Sequence, residues 1–356
     1  MTGSAVLPQT EAISSLAARI AGAPDIVALA ATYASVREVA VALHHEQAGP
    51  ALVTRVLSRF NDAIVNRVLG LLQARHRLPQ VGWCWLGLGS EGRLEQTLST
   101  DQDNGLVFSA SDDGEARQLR ELFLPFAAAA NQALAECGVP LCDGKVMAGN
   151  PMWCLSLTEW RESFMAWVRT PEPEALLNAA IFFDFRAVAG NMELAAVLRR
   201  AVSELTCGNE IFLRLMTVNA LAAQPPLGRL RDFAIAAESG GEIDLKKVGS
   251  RIFVDAARIL ALGAGITETA TVSRFRRVAA EGLMTPRDAE AAVRAFDALQ
   301  GIRLAVQTGN EADGQVPGNG VDPDRLNEFD RRLLLDCLRQ ARALQVGLKA
   351  RYHIET

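Results

Sequence analysis

The sequence predicts an α/β (α+β) core with a small mixed sheet, preceded by helices and followed by a mostly α-helical region, and three observations predict it. Ahead of residue 79, apolar residues recur at three- and four-residue spacing. Two short apolar runs bounded by glycine, VGWCWLGLG (81–89) and NGLVFSA (104–110), then break that spacing and read as strands. After NPMW (150–153) the helical spacing returns and runs to the end of the chain.

Residues 10–78 read as helices. In 51–78, Val53, Val56, Leu57, Phe60, Ile64, Val68 and Leu71 form one apolar stripe, and Pro79 is the expected stop. The strands of 81–89 and 104–110 are followed by a helix over 114–137 with Leu119, Leu122, Phe123, Phe126, Ala130 and Leu134 on one face, and by a third strand near 139–148. Helical segments follow at 158–169, 172–187, 191–205, 208–223, 227–237, 250–263, 267–281, 286–307 and 323–351, broken at glycine and proline. The glycine-rich polar stretch TGNEADGQVPGNGVDP (308–323) reads as a mobile loop between the last two helices. The expected domains are 1–78, an N-terminal helical region; 79–155, the core; and 156–356, a helical domain.

Composition narrows the class. With 356 residues, 49% hydrophobic and 22% charged, the chain has enough apolar material for a sizeable core. No apolar run approaches the roughly 18 residues that span a bilayer, so no membrane partner is expected. MTGSAVLPQTEAISSLAARI has no basic segment ahead of an apolar one, so the expected location is the cytoplasm. Six cysteines without a C-x-x-C pair argue against a zinc or disulfide framework. A net charge of −5 gives no general attraction to phosphate backbones, so nucleic acid is not an expected partner.

The chemistry concentrates in WLGLGSEGRLEQTLSTDQDNGLVF (85–108). Asp101 and Asp103 stand one residue apart at the start of a predicted strand, where side chains at i and i+2 share a face, and Gln102 points the other way. Two carboxylates in one space repel, and a hard divalent cation, magnesium or manganese, is the usual remedy. Upstream, GLGSEGR leaves a strand through glycines; a helix beginning near Ser90 would offer free N–H groups to a triphosphate. An EF-hand fails on spacing, since its invariant glycine would fall at Leu106. A solvated turn is the competing reading of each motif taken alone.

These residues, with CGVPLCDGKVMAGNPMWCLSLTEW and IFFDFRAVAG, resemble the DUF294 nucleotidyltransferases of the DNA polymerase beta-like superfamily, whose pattern is G-S or G-G ahead of a D-x-D. The resemblance extends over roughly residues 10–350. Such proteins are similar to the catalytic region of the uridylyltransferase that modifies the PII signalling protein, and many carry CBS or cyclic-nucleotide-binding modules for which this chain has no room. The resemblance implies a nucleotidyltransferase core, Gly89 and Ser90 on the nucleotide phosphates, and Asp101 and Asp103 as catalytic residues and metal ligands. Arg93 is a candidate phosphate contact, against a surface salt bridge with Glu91 or Glu95. The superfamily's third carboxylate has Asp143 as its nearest candidate, against a turn aspartate before Gly144. Lys145 either neutralises phosphate or sits on the surface. Asp184 and Arg186, read as lying inside an apolar helix, either face the nucleotide or form a structural ion pair.

The expected reaction moves a nucleoside monophosphate, UMP or AMP, from a nucleoside triphosphate to a hydroxyl acceptor, with a PII-like protein as acceptor, magnesium or manganese as cofactor, and regulation supplied by a separate partner or the helical regions. The alternatives are a catalytically degenerate nucleotide-binding regulator and a purely structural interaction protein.

Overall fold

A computed structural model describes residues 6–228, 233–234 and 241–355. It divides into two compact units, one built from residues 1–48, 52–163 and 184–198 and the other from 49–51, 164–183 and 199–356.

The first unit opens on three helices, α1 (Val6–Gly22), α2 (Ile26–His45) and α3 (Pro50–Gln73). Asp25 caps α2 by accepting the Ala28 N–H at 2.8 Å. By length and composition α2 is apolar enough to cross a membrane, which corrects the expectation that no such run exists. It nevertheless buries Leu29, Thr32, Val36, Ala40 and Leu43, one helical stripe, and Arg37 on it donates to the Leu98 carbonyl. The expected stripe on α3 forms, but the helix stops at Gln73, six residues before Pro79. Leu72 is its last buried residue; Ala74, Arg75 and Arg77 are exposed, so no packing supports another turn.

Four strands form the sheet: β1 (Trp83–Gly87), β2 (Asn104–Phe108), β3 (Cys154–Ser156) and β4 (Arg186–Gly190), in the order β3-β2-β1-β4. β1 runs antiparallel to β2 and β4, while β2 and β3 are parallel, so the sheet is mixed as expected. β2 is buried along its whole length, consistent with its unbroken apolar run. Between β1 and β2 lies a single helical turn, α4 (Gly89–Gly92); after β2 comes α5 (Asp113–Glu136), capped by Asp112. Phe123 of α5 stacks on Phe108 of β2 with ring centroids 5.2 Å apart.

Two sequence expectations are corrected around this sheet. Residues 139–148 form turns instead of a strand, because their polar groups are met by side chains. Asn104 Oδ1 accepts from the Ala148 N–H and from Asn131 Nδ2, Asn131 Oδ1 accepts from the Gly149 N–H, and Gln102 Nε2 donates to the Val139 and Asn131 carbonyls. The helix expected over 172–187 ends early: α6 (Leu157–Arg169) leads to α7 (Pro173–Phe182), and Arg186 pairs opposite Gly87 as the start of β4. Sheet pairing with β1 wins over a local pattern that contained no helix breaker.

The second unit is helical: the end of α6 and all of α7, then α8 (Met192–Thr206), shared with the first, α9 (Glu210–Ala220), α10 (Arg251–Gly263), α11 (Thr271–Ala280), α12 (Pro286–Ala312) and α13 (Glu328–Arg351). Every residue of α10 from Ile252 to Leu262 is buried, which makes it the central helix of the unit. The helix expected over 227–237 lies mostly outside the described residues; Leu227 and Phe233 form an isolated antiparallel bridge. The stretch read as a mobile loop is partly regular, since α12 continues to Ala312 and Gly320–Val321 (β6) pairs with Ile243–Asp244 (β5). Asn319 Oδ1 accepts from Arg303 and from Gln307, which ties this segment to α12.

Replacing Asn131 by alanine removes partners from Gln102, Asn104 and the Gly149 N–H at once. A loss of about 3 kcal/mol is expected, read as a lowered denaturant midpoint with an unchanged slope. A midpoint equal to that of the native chain would remove this network from the account of the fold.

Candidate active site

Two close backbone approaches shape the turn after β1. Gly89 has φ +52°, and a Cβ there would stand 3.2 Å from Asp103 Oδ2. At Gly92 a Cβ would fall 1.8 Å from the Asp184 carbonyl oxygen, so only glycine lets the turn lie against the entry to β4. The Leu88 N–H donates to the Asp103 carbonyl at 2.9 Å, which fastens the turn to the D-x-D segment. Leu94 closes the turn at φ +59°, a left-handed conformation costing about 1 kcal/mol for a residue with a side chain. Residues beyond it are anchored on α3, where Ser58 Oγ accepts from the Gln96 N–H and Asn61 donates to the Gln96 side chain.

Asp101 and Asp103 come together as the spacing implied, with Gln102 buried on the opposite side in the Asn131 network. A third residue joins them: the Asp101 and Asp103 carboxylates and Cys142 Sγ each offer a ligand atom, all within 4.8 Å of one another. Cys142 arrives on the turn after α5, brought in where the Gln102 N–H donates to the Pro140 carbonyl and the Asn104 N–H to the Val146 carbonyl. Burial, then the neighbouring Asp103 and Asp101 charges, pushes its thiol up to about 11. Asp143 and Lys145 are exposed in the same turn and stand outside the three-residue group; Lys145 has φ +56°. Ser90 is half-buried on α4.

Arginines hold the frame. Arg93 donates from Nε to Glu95 at 2.8 Å and from Nη1 to the fully buried Asp184 at 2.7 Å. Arg186 pairs with Asp62 of α3 and donates from Nε to the Glu91 carbonyl at 3.0 Å. Asp184 and Arg186 thus each sit in an ion pair, on the approach to β4 and on β4 itself. Each arginine is the complement a buried carboxylate requires.

Sequence reasoning missed three residues here. Glu91, read as a surface partner for Arg93, is 5% exposed, and its Oε1 has no hydrogen-bond partner among the described residues. Burial raises it to about 8, with Arg186 opposing and the Asp62 and Asp103 charges reinforcing the rise, so it is neutral near pH 7. Asp62 was legible only as one of several polar residues, with Ser58 and Asn61, at helical spacing beside the apolar stripe of α3. Cys142 carried no local signal, because its importance depends on a turn 39 positions beyond Asp103 folding back on it.

Family comparison agrees with this geometry. The model described as "Putative nucleotidyltransferase DUF294" matches residues 34–174, and "Putative nucleotidyltransferase substrate binding domain" matches residues 210–352. The chain belongs to the DUF294 nucleotidyltransferase family. A comparison with curated proteins finds no match. Nucleotidyl transfer is the reaction class of this DUF294 chain, and its first match contains the Gly89–Gly92 turn, Asp101, Asp103 and Cys142.

The sign of the Glu91 effect is testable. Unfolded, its carboxyl releases its proton near 4.5; folded, it keeps it to about 8. Stability therefore falls as pH rises through that window, by up to about 1.4 kcal/mol per pH unit, and levels off above it. Glu91→Gln keeps the neutral shape and loses this slope, so in chelator its stability relative to the native chain should be greater at about pH 8 than at about pH 5. Equal differences at both values would mean that Glu91 ionises normally in the folded chain.

Proposed function

We propose that this protein transfers a nucleoside monophosphate, UMP or AMP, from a nucleoside triphosphate to a hydroxyl acceptor, with a PII-like signalling protein as the acceptor, and that a divalent cation at Asp101 and Asp103 is required. One observation carries the reading: two carboxylates converge beside a glycine turn in which a Cβ at Gly89 would crowd the Asp103 oxygen. The donor set fits the cation, since carboxylate oxygens are the ligands magnesium and manganese prefer. When bound, the cation neutralises phosphate charge and polarises the reacting phosphoryl group. Asp101 and Asp103 would hold it. Gly89 and Ser90 would set backbone N–H groups against the phosphates, and Arg93, fixed by Glu95 and Asp184, adds positive charge to the same turn. In the transfer, the acceptor hydroxyl oxygen bonds to the α-phosphorus as the bond to pyrophosphate breaks, and the hydroxyl proton leaves to solvent.

Location in the cytoplasm and independence from membranes belong to this proposal. The buried stripe of α2 and the Arg37 bond to Leu98 support packing of that helix in protein. Regulation by a separate partner is likewise proposed. One observation favours a second reading, a nucleotide-binding regulator without turnover: the third member of the ligand group is a thiol, and Asp143, the candidate third carboxylate, stands outside that group.

With magnesium and a triphosphate at about a hundred times its dissociation constant, the native chain should gain about 2.7 kcal/mol of stability, and Asp101→Asn/Asp103→Asn should lose the metal-dependent part. Pyrophosphate release on adding the acceptor supports the enzyme; stabilisation without release under any acceptor supports the regulator. Absence of any triphosphate-dependent stabilisation would overturn both.

A further inference from the structure

We propose that Cys142 is a third protein ligand at the Asp101–Asp103 site, making it a mixed oxygen and sulfur site that favours a thiophilic divalent cation, with zinc and cadmium ahead of manganese and magnesium. The inference rests on the cation site proposed above and deepens it by naming the class of metal.

Geometry carries it first. Ligand atoms on one divalent cation stand roughly 3–4 Å apart, given metal–oxygen and metal–sulfur bonds of about 2.0–2.3 Å. The three ligand atoms here already lie within 4.8 Å of one another, so side-chain rotation alone closes the shell. The surroundings of Cys142 also separate it from the packing cysteines. Cys84, Cys137, Cys154 and Cys337 are buried, whereas Cys142 is half-exposed and its thiol hydrogen-bonds Asp103. A second observation lies beside the group: Gly89 has φ +52°, and a Cβ there would stand 3.2 Å from Asp103 Oδ2, so the turn leaves open space against the carboxylate. Two carboxylates thus border one small open space together with a sulfur, an arrangement that a cation completes.

Sulfur decides the preference. Magnesium and manganese seek oxygen, and magnesium holds its waters, whereas zinc and cadmium bind thiolate strongly. On binding, the metal–sulfur bond replaces the sulfur–hydrogen bond and the proton passes to buffer, with no change of oxidation state.

Cadmium(II) alone, titrated into the full chain carrying Cys207→Ser, tests this; the substitution removes the one exposed thiol among the described cysteines. An ultraviolet thiolate-to-cadmium absorption saturating at one equivalent is expected. Cys142→Ser should abolish it, and both Cys142→Ser and Asp101→Asn/Asp103→Asn should weaken cadmium affinity at least about tenfold. Cys142→Asp, which replaces sulfur with oxygen, should lose the absorption and shift the preference towards magnesium and manganese. An absorption that survives Cys142→Ser, one unaffected by the asparagine pair, or no absorption at all would overturn the inference. If magnesium–triphosphate stabilisation of the native chain persists while cadmium gives no band, only this inference fails. If the cadmium band appears as described while no triphosphate stabilises the chain, the nucleotidyl-transfer reading fails and the metal site stands.

Discussion

The close approach of the turn after β1 to its neighbours governs the rest of the first unit. Gly92 lies where any side chain would strike the Asp184 carbonyl, and Gly89 leaves room for the Asp103 carboxylate. These contacts tie together β1, the segment leading into β2 and the entry to β4, which are distant in sequence. The mixed sheet follows from that arrangement: β1 is central between β2 and β4, and its C-terminal end delivers the turn beside the two aspartates. A helix one turn long between two strands is too short to stabilise itself, so packing and the anchors on Ser58 and Asn61 hold it.

Charge follows the same frame. Asp62, Glu91, Asp101, Asp103 and Asp184 crowd into one region, and the protein handles them in three different ways. Asp184 and Asp62 are matched by Arg93 and Arg186. Glu91 stays protonated because burial outweighs the nearby guanidinium. Asp101 and Asp103 lie together with Cys142, their ligand atoms within 4.8 Å of one another. The arginines serve the architecture as much as any ligand, since unpaired carboxylates at these depths would be costly.

The second unit obeys a simpler rule. Its helices pack around α10, and buried polar pairs form within the unit, as in the Asp255–Arg258 pair at 2.5 Å and the Arg303–Asn319 bond. Residues 210–352, which lie in this unit, match the family model described as "Putative nucleotidyltransferase substrate binding domain".

By itself the sequence determined the helices ahead of residue 79, the change from helical to strand spacing at 81–89 and 104–110, and the pairing of Asp101 with Asp103 against Gln102. All of these follow from local periodicity, which residues within one element share. Only the tertiary structure decided that 139–148 would be turns, that Arg186 would begin a strand, that Glu91 would be buried, and that Cys142 would join the aspartates. Each of those outcomes depends on partners far along the chain: Asn104 and Asn131 for the turns, β1 for Arg186, Gly87 against the Glu91 carboxyl, and the returning turn for Cys142. Burial and convergence are properties of pairs of segments, so a pattern confined to one segment cannot encode them.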